Sequence, residues 1–216
     1  MSAVTTGKAA GMVTPERPDG TPSGTPGGTP SDLSVTALIL AIAGALWFGW
    51  GQAEPPAGWG LPLVIGMFAA IAVSVLAGIA VRRFRHGATA MADQRVRRGY
   101  GITVGAEVAA IAVGVVCLGL AGRPAYTAPW ILLVVGAHFV PLGRLFGLAD
   151  LVWWGLVLSA VAIAAAVTGA VSAVAPSAVT GAFGGLVMVA AAATSLRHAL
   201  LRGRIEGRTA GGLRDG

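Results

Sequence analysis

Charge is what this sequence has least of. Asp, Glu, Lys and Arg together supply 11% of its 216 residues, where a soluble domain carries about a quarter. The few charges cluster between long apolar runs, which is the membrane pattern. Cysteine is reduced to Cys117, inside one such run. That excludes an intramolecular disulfide and leaves the redox compartment unreadable. Lysine is reduced to Lys8, and with the abundance of Ala, Gly, Val and Arg this reads first as a coding bias. Catalytic signatures are missing too: the chain has no HExxH, no GxSxG, no Walker A loop, no paired Cys motifs and no aspartate-rich motif. No metal and no cofactor are therefore expected. Glu107 is the single carboxylate well inside an apolar run, which argues against two-carboxylate chemistry and leans the reading away from an enzyme.

What is present is hydrophobic length. Mean hydropathy is +0.77 and 55% of residues are hydrophobic. At roughly 20 residues per span, residues 34–198 hold six helices with short loops, at about 34–51, 60–82, 101–121, 128–147, 150–174 and 176–198. The expected fold class is all-α, a polytopic six-helix transmembrane bundle over residues 32–200, with no separate soluble domain. The runs are continuous rather than alternating, so helices and not barrel strands are implied.

Residues 1–31 are rich in Thr, Pro, Gly and Ser, with GTP tripeptides at 20–22, 24–26 and 28–30. They read as a disordered tail with too few apolar groups to offset ordering entropy, and not as a secretory signal, because no apolar segment precedes Ser34. Residues 201–216 read as a basic tail.

A pI near 11.0 raises the question of nucleic acid, but the distribution of charge answers it. In a six-span arrangement, fourteen of the fifteen Lys and Arg residues fall on one side, and only Arg123 on the other. That is the positive-inside asymmetry. It places both termini in the cytoplasm, the chain in the plasma membrane and the lipid bilayer as its partner, with no nucleic acid. Trp47, Trp50, Trp59, Tyr126 and Trp130 fall near the outer boundary and Tyr100, Trp153 and Trp154 near the inner one, as interfacial anchors do.

The short join Gly147–Asp150 makes spans 4 and 5 antiparallel neighbours, with Gly147 ending one and Asp150 suited to cap the next. Gly181 and Gly185, like Gly101 and Gly105, stand at GxxxG spacing, which marks either packing within the bundle or a homo-oligomer face. His86 and His198 read as solvated flanking residues.

Three ionisable residues lie within spans: Glu107, His138 and Arg144. Each costs about 2.5–3.5 kcal/mol in hydrocarbon by insertion scales, so each needs a partner. Depth at 1.5 Å per residue puts Glu107 roughly 10 Å and Arg144 roughly 5 Å from the inner boundary, within reach of each other. A Glu107–Arg144 pair is the expectation. Tyr100, Thr103, Glu107, Ala110 and Gly114 share the face that should turn inward. Pro141 deprives the Ala137 carbonyl of its donor and should kink span 4 beside His138. His138, Glu107, Arg144 and Pro141 are the candidate binding residues. Two readings stand: a proton-linked or transport site for an ion or small molecule, or a structural clamp with a neutral core histidine in a non-catalytic membrane scaffold or partner-binding protein.

The segment Gly136–Phe146, GAHFVPLGRLF, resembles a motif of a family of small bacterial integral membrane proteins, Gly-x-His-Phe-x-Pro-Leu-Ala, then an apolar or basic residue, then Leu-Phe. His138, Phe139, Pro141 and Leu142 match, and Gly143 replaces the alanine. Gly105 and Glu107 match a Gly-x-Glu step in the preceding helix. The resemblance covers spans 3 and 4. It implies a site around His138 and carries no activity with it.

The topology is directly testable. Reporter fusions after Arg98, Gly147 and Gly216 should report the cytoplasm, and fusions near Ala53, Arg123 and Ala175 the outside. A consistent inversion would overturn the orientation, and a mixed pattern the span count.

Overall fold

The computed structural model describes residues 28–87 and 89–212, with side chains through Ile205. It contains six helices long and apolar enough to cross a membrane: α1 (Pro30–Gly51), α2 (Gly60–Phe84), α3 (Gln94–Leu120), α4 (Thr127–Phe146), α5 (Ala149–Val171) and α6. α6 is composite. It runs as Pro176–Val179, then a π-wound turn Thr180–Gly184, then Gly185–Gly212. Among the described residues there is no strand. This is an all-α six-helix bundle and a multi-pass membrane protein.

The bundle is two groups of three. α1 is the centre of one, with α2 and α6 packed against it; α4 is the centre of the other, between α5 and α3. Small residues do the packing. Ala supplies roughly half of the buried apolar residues, while Ile, Val, Leu and Phe dominate the exposed large ones. Lipid removes the hydrophobic drive between helices, so close contact of small-residue faces holds them together instead. At the α4–α5 contact, a Cβ added to Gly155 would stand 2.5 Å from the Gly136 carbonyl oxygen, and one added to Gly143 2.6 Å from Val152. At the α1–α6 contact, Gly181 meets Gly51 backbone to backbone, Gly185 meets the Phe48 ring and Gly44 meets Val189. The Gly181/Gly185 spacing thus serves the interior of the bundle. Gly101 and Gly105 face open space.

Helix ends differ from the sequence expectation where capping overrides apolarity. α1 starts at Pro30, because the Thr29 hydroxyl caps it, accepting from the Asp32 N–H at 3.2 Å. Residues 30–33 are therefore helix rather than tail or lead-in. Asp32 also accepts from Thr89 Oγ1 (2.8 Å) and the Ala90 N–H (3.0 Å), tying α1 to the α2–α3 loop. α3 begins at Gln94, capped by Asp93, so Arg95, Arg97 and Arg98 stand on helix. α6 continues to Gly212, so the expected basic tail is helical that far. Arg202 donates from that extension to the Gly28 carbonyl. Residues 1–27 and 213–216, which carry most of the expected disordered tail and the last basic residue, Arg214, lie outside the described residues.

α4 ends in a Schellman turn: Gly147 is left-handed (φ 65) and the Leu148 N–H donates to the Gly143 carbonyl at 2.7 Å. Leu148, not Asp150, holds the cap position of α5. Asp150 lies in the first turn and faces His198 at 3.4 Å instead. α4 remains helical through Pro141 to Phe146, because one lost hydrogen bond leaves the flanking turns intact. The aromatics divide. Trp153 and Trp50 are exposed, as interfacial anchors are, whereas Trp47 is buried in the core, stacked on Trp50 at 5.4 Å.

The glycine contacts yield a stability prediction. Gly155→Val drives a branched side chain into the Gly136 backbone and should cost about 1–3 kcal/mol. Gly101→Val enters open space and should change stability by about 0.5 kcal/mol or less. Denaturation midpoints in detergent check both. Equal effects would show that the backbone contact does not hold α4 to α5.

Candidate functional site

The candidate site lies between α3 and α4, and an antiparallel register sets its geometry. Gly99 meets Leu145, the Tyr100 ring stands 6.3 Å from Phe146, and Trp130 Nε1 donates to the Ala110 carbonyl at 3.2 Å over Gly114. Tyr100, Thr103, Glu107, Ala110 and Gly114 are all at least partly buried, as are Val96, Gly99, Val104, Ile111 and Leu118 beside them, while the rest of the helix is exposed. This is the face that helical spacing turns inward.

In that register Glu107 stands level with His138. Glu107 Oε2 lies 3.5 Å from His138 Nε2. The two groups are near the middle of their helices, since Glu107 is thirteen residues past the start of α3, roughly 20 Å at 1.5 Å per residue. His138 is 9% exposed and the Glu107 side chain 18%. The separation exceeds an ordinary hydrogen bond by a few tenths of an ångström, so a small closure of α3 on α4 would make one. The second imidazole nitrogen, Nδ1, is buried with no hydrogen-bond partner among the described residues.

The expected Glu107–Arg144 pair is not formed. Arg144 is exposed and has no ion-pair partner among the described residues. Register explains why: Arg144 is six residues beyond His138, roughly 9 Å along the axis and 120° around it. A carboxylate facing His138 cannot also face Arg144. Depth alone allowed the Arg144 pairing; the face angle excludes both residues from facing Glu107 together, and the register of α3 on α4 selects His138. Pro141 is exposed, outside the pair.

The motif Gly136-Ala-His138 acquires a local meaning from this geometry. Adjacent positions on a helix differ by 100°, so Gly136 and His138 point to opposite sides. Gly136 admits the α5 backbone, and His138 is thereby presented to α3. Gly143, seven residues on, repeats the contact with α5.

Chemically the pair can hold one proton in two ways, as carboxylate with imidazolium or as carboxylic acid with neutral imidazole, at the same net charge. A second proton makes it cationic. Among the described residues no cluster of three or more His, Cys, Asp or Glu could hold a metal ion. A cleft of about 270 Å³ lined by Leu118, Tyr126, Trp130, Leu133, Ile163 and Val167 opens farther along this interface, and neither Glu107 nor His138 lines it.

These features define a polytopic helical membrane protein with a carboxylate–imidazole pair at mid-span. Comparison with protein-family models, curated proteins and solved structures finds no match.

A double-variant cycle tests the contact. Glu107→Gln and His138→Leu should each lower stability in detergent by about 1–3 kcal/mol, since each strands a buried polar partner. The double variant should fall short of the sum by about 0.5 kcal/mol or more. Arg144→Gln combined with Glu107→Gln should be additive.

Proposed function

We propose that this chain is a proton-linked membrane protein, of the transport class, in which Glu107 and His138 carry the proton. The single observation behind this reading is the His138 imidazole: it faces Glu107 at 3.5 Å and is buried, with Nδ1 unpartnered among the described residues. A buried polar group without a partner costs about 1–3 kcal/mol, and an ionisable group in hydrocarbon costs more. A chain that needed only helix contact has glycine faces for the purpose, as at Gly136 and Gly155. That nitrogen can take a proton or bond a polar substrate atom. The resemblance of Gly136–Phe146 to a motif of small bacterial membrane proteins points to the same residues. The positive-inside asymmetry supports a cytoplasmic location for the arginine-rich end and both termini.

One observation favours a second reading, a non-catalytic scaffold. α3 touches the rest of the bundle mainly through α4, so the Glu107–His138 contact would also serve as its clamp.

Infrared difference spectroscopy of the reconstituted protein separates the two. Glu107 is the single carboxylate well inside a span, so a pH step should give a protonated-carboxyl band in the low-polarity range. The band should be absent in Glu107→Gln and shifted in His138→Gln. A pH step that leaves the carboxyl region of the wild type identical to that of Glu107→Gln would overturn proton linkage and leave the clamp.

A further inference from the structure

A groove separates α2 from α6 near the arginine-rich end of the bundle. It arises because both helices pack on α1 and meet each other only lightly. Its volume is about 350 Å³. Its walls are Val73 and Leu76 from α2 and Leu196 and Leu200 from α6, and its polar groups are Arg197 and Arg204. The arginines are seven residues apart, so they sit on one face of α6 about two turns from each other. Both are exposed, and among the described residues neither has a carboxylate partner. Next to Arg204, Phe84 packs so tightly on Gly203 that an added Cβ would lie 2.5 Å from its ring. The Arg83 guanidinium stands 5.7 Å over that same ring, which brings a third cation to the end of α2.

An aliphatic trough between two spans, ending in guanidinium groups with no carboxylate partner among the described residues, matches one kind of molecule. We propose that the α2–α6 groove binds an anionic phospholipid of the surrounding bilayer. An acyl chain lies along Val73, Leu76, Leu196 and Leu200, and the headgroup phosphate is held by Arg197 and Arg204. Guanidinium is suited to phosphate because its planar donors can engage two oxygens at once, and basic pockets between spans are where such headgroups bind. Charge distinguishes this groove from the larger cavity at the same end of the bundle. That cavity, about 510 Å³, includes Asp150 opposite His198 and is lined also by Arg202, whose guanidinium is bonded to the Gly28 carbonyl. There a carboxylate opposes an incoming anion; in the α2–α6 groove no described carboxylate does.

Native mass spectrometry of the full chain, released from nanodiscs of equal phosphatidylglycerol and phosphatidylcholine, tests the site. The wild type should retain phosphatidylglycerol in at least fivefold preference. The double variant Arg197→Ala/Arg204→Ala should lose that preference, whereas Arg85→Ala/Arg95→Ala, which removes the same charge elsewhere at that end, should keep it. Ala193→Phe fills the groove with every arginine in place and should lower retention comparably, so the proposal remains testable if the arginine variant fails to fold. Equal loss in the two arginine variants would assign the preference to general surface charge and overturn the site. Retention unchanged by Ala193→Phe would overturn the acyl-chain placement. Displacement of the lipid by millimolar inorganic phosphate would overturn the lipid assignment in favour of free phosphate.

Discussion

Backbone-to-backbone approach of helices is the contact on which this molecule rests. In a bilayer the tails solvate Leu as well as another helix does, so helices stay together through close packing and not through exclusion of water. Gly51 against Gly181 and Gly136 against Gly155 are the closest such approaches, and each lies within one of the two three-helix groups. The groups meet around the π-wound turn Thr180–Gly184, where α6 contacts α1, α4 and α5. A π turn inserts one residue into the helix and widens it locally. Here Gly181 is set on Gly51 and Gly184 on Leu132 of the other group, while Thr180 returns its hydroxyl to the Pro176 carbonyl at 2.7 Å.

The Glu107–His138 pair depends on that packing. His138 reaches α3 because Gly136, two positions earlier, lets α4 press against α5 on its other side. Trp130 over Gly114 and Leu145 against Gly99 then set the height at which α3 sits. The polar contact is held in register by apolar contacts above and below it. The groove between α2 and α6 arises in the opposite way, from two helices that share a neighbour without meeting closely.

Span number and approximate extent were legible in the sequence because hydrocarbon thickness dictates a length that apolar runs must match. The inward face of α3 was legible from periodicity, since Glu107 and Thr103 are costly toward lipid. Helix ends were not. Thr29 and Asp93 start helices within polar sequence by side-chain capping, and hydropathy does not register a cap. The partner of Glu107 was not legible, because an arginine is the stronger charge and lies at a reachable depth, while the seating of Gly136 and Gly143 on α5 decides which face of α4 meets α3. The fate of each GxxxG pair was equally hidden, as Gly181 and Gly101 differ only in which neighbour the fold supplies.

The turn between α4 and α5 has a mechanical consequence. The Schellman closure at Gly147 and the glycine seats at Gly136, Gly143 and Gly155 join these helices along their length, so they behave as one beam. His138 is mounted on that beam. Glu107 is mounted on α3, which is tethered along one edge and is joined to α4 through the left-handed glycine Gly122. The gap between carboxylate and imidazole therefore has a fixed jaw and a movable one, and any change in its width is a displacement of α3.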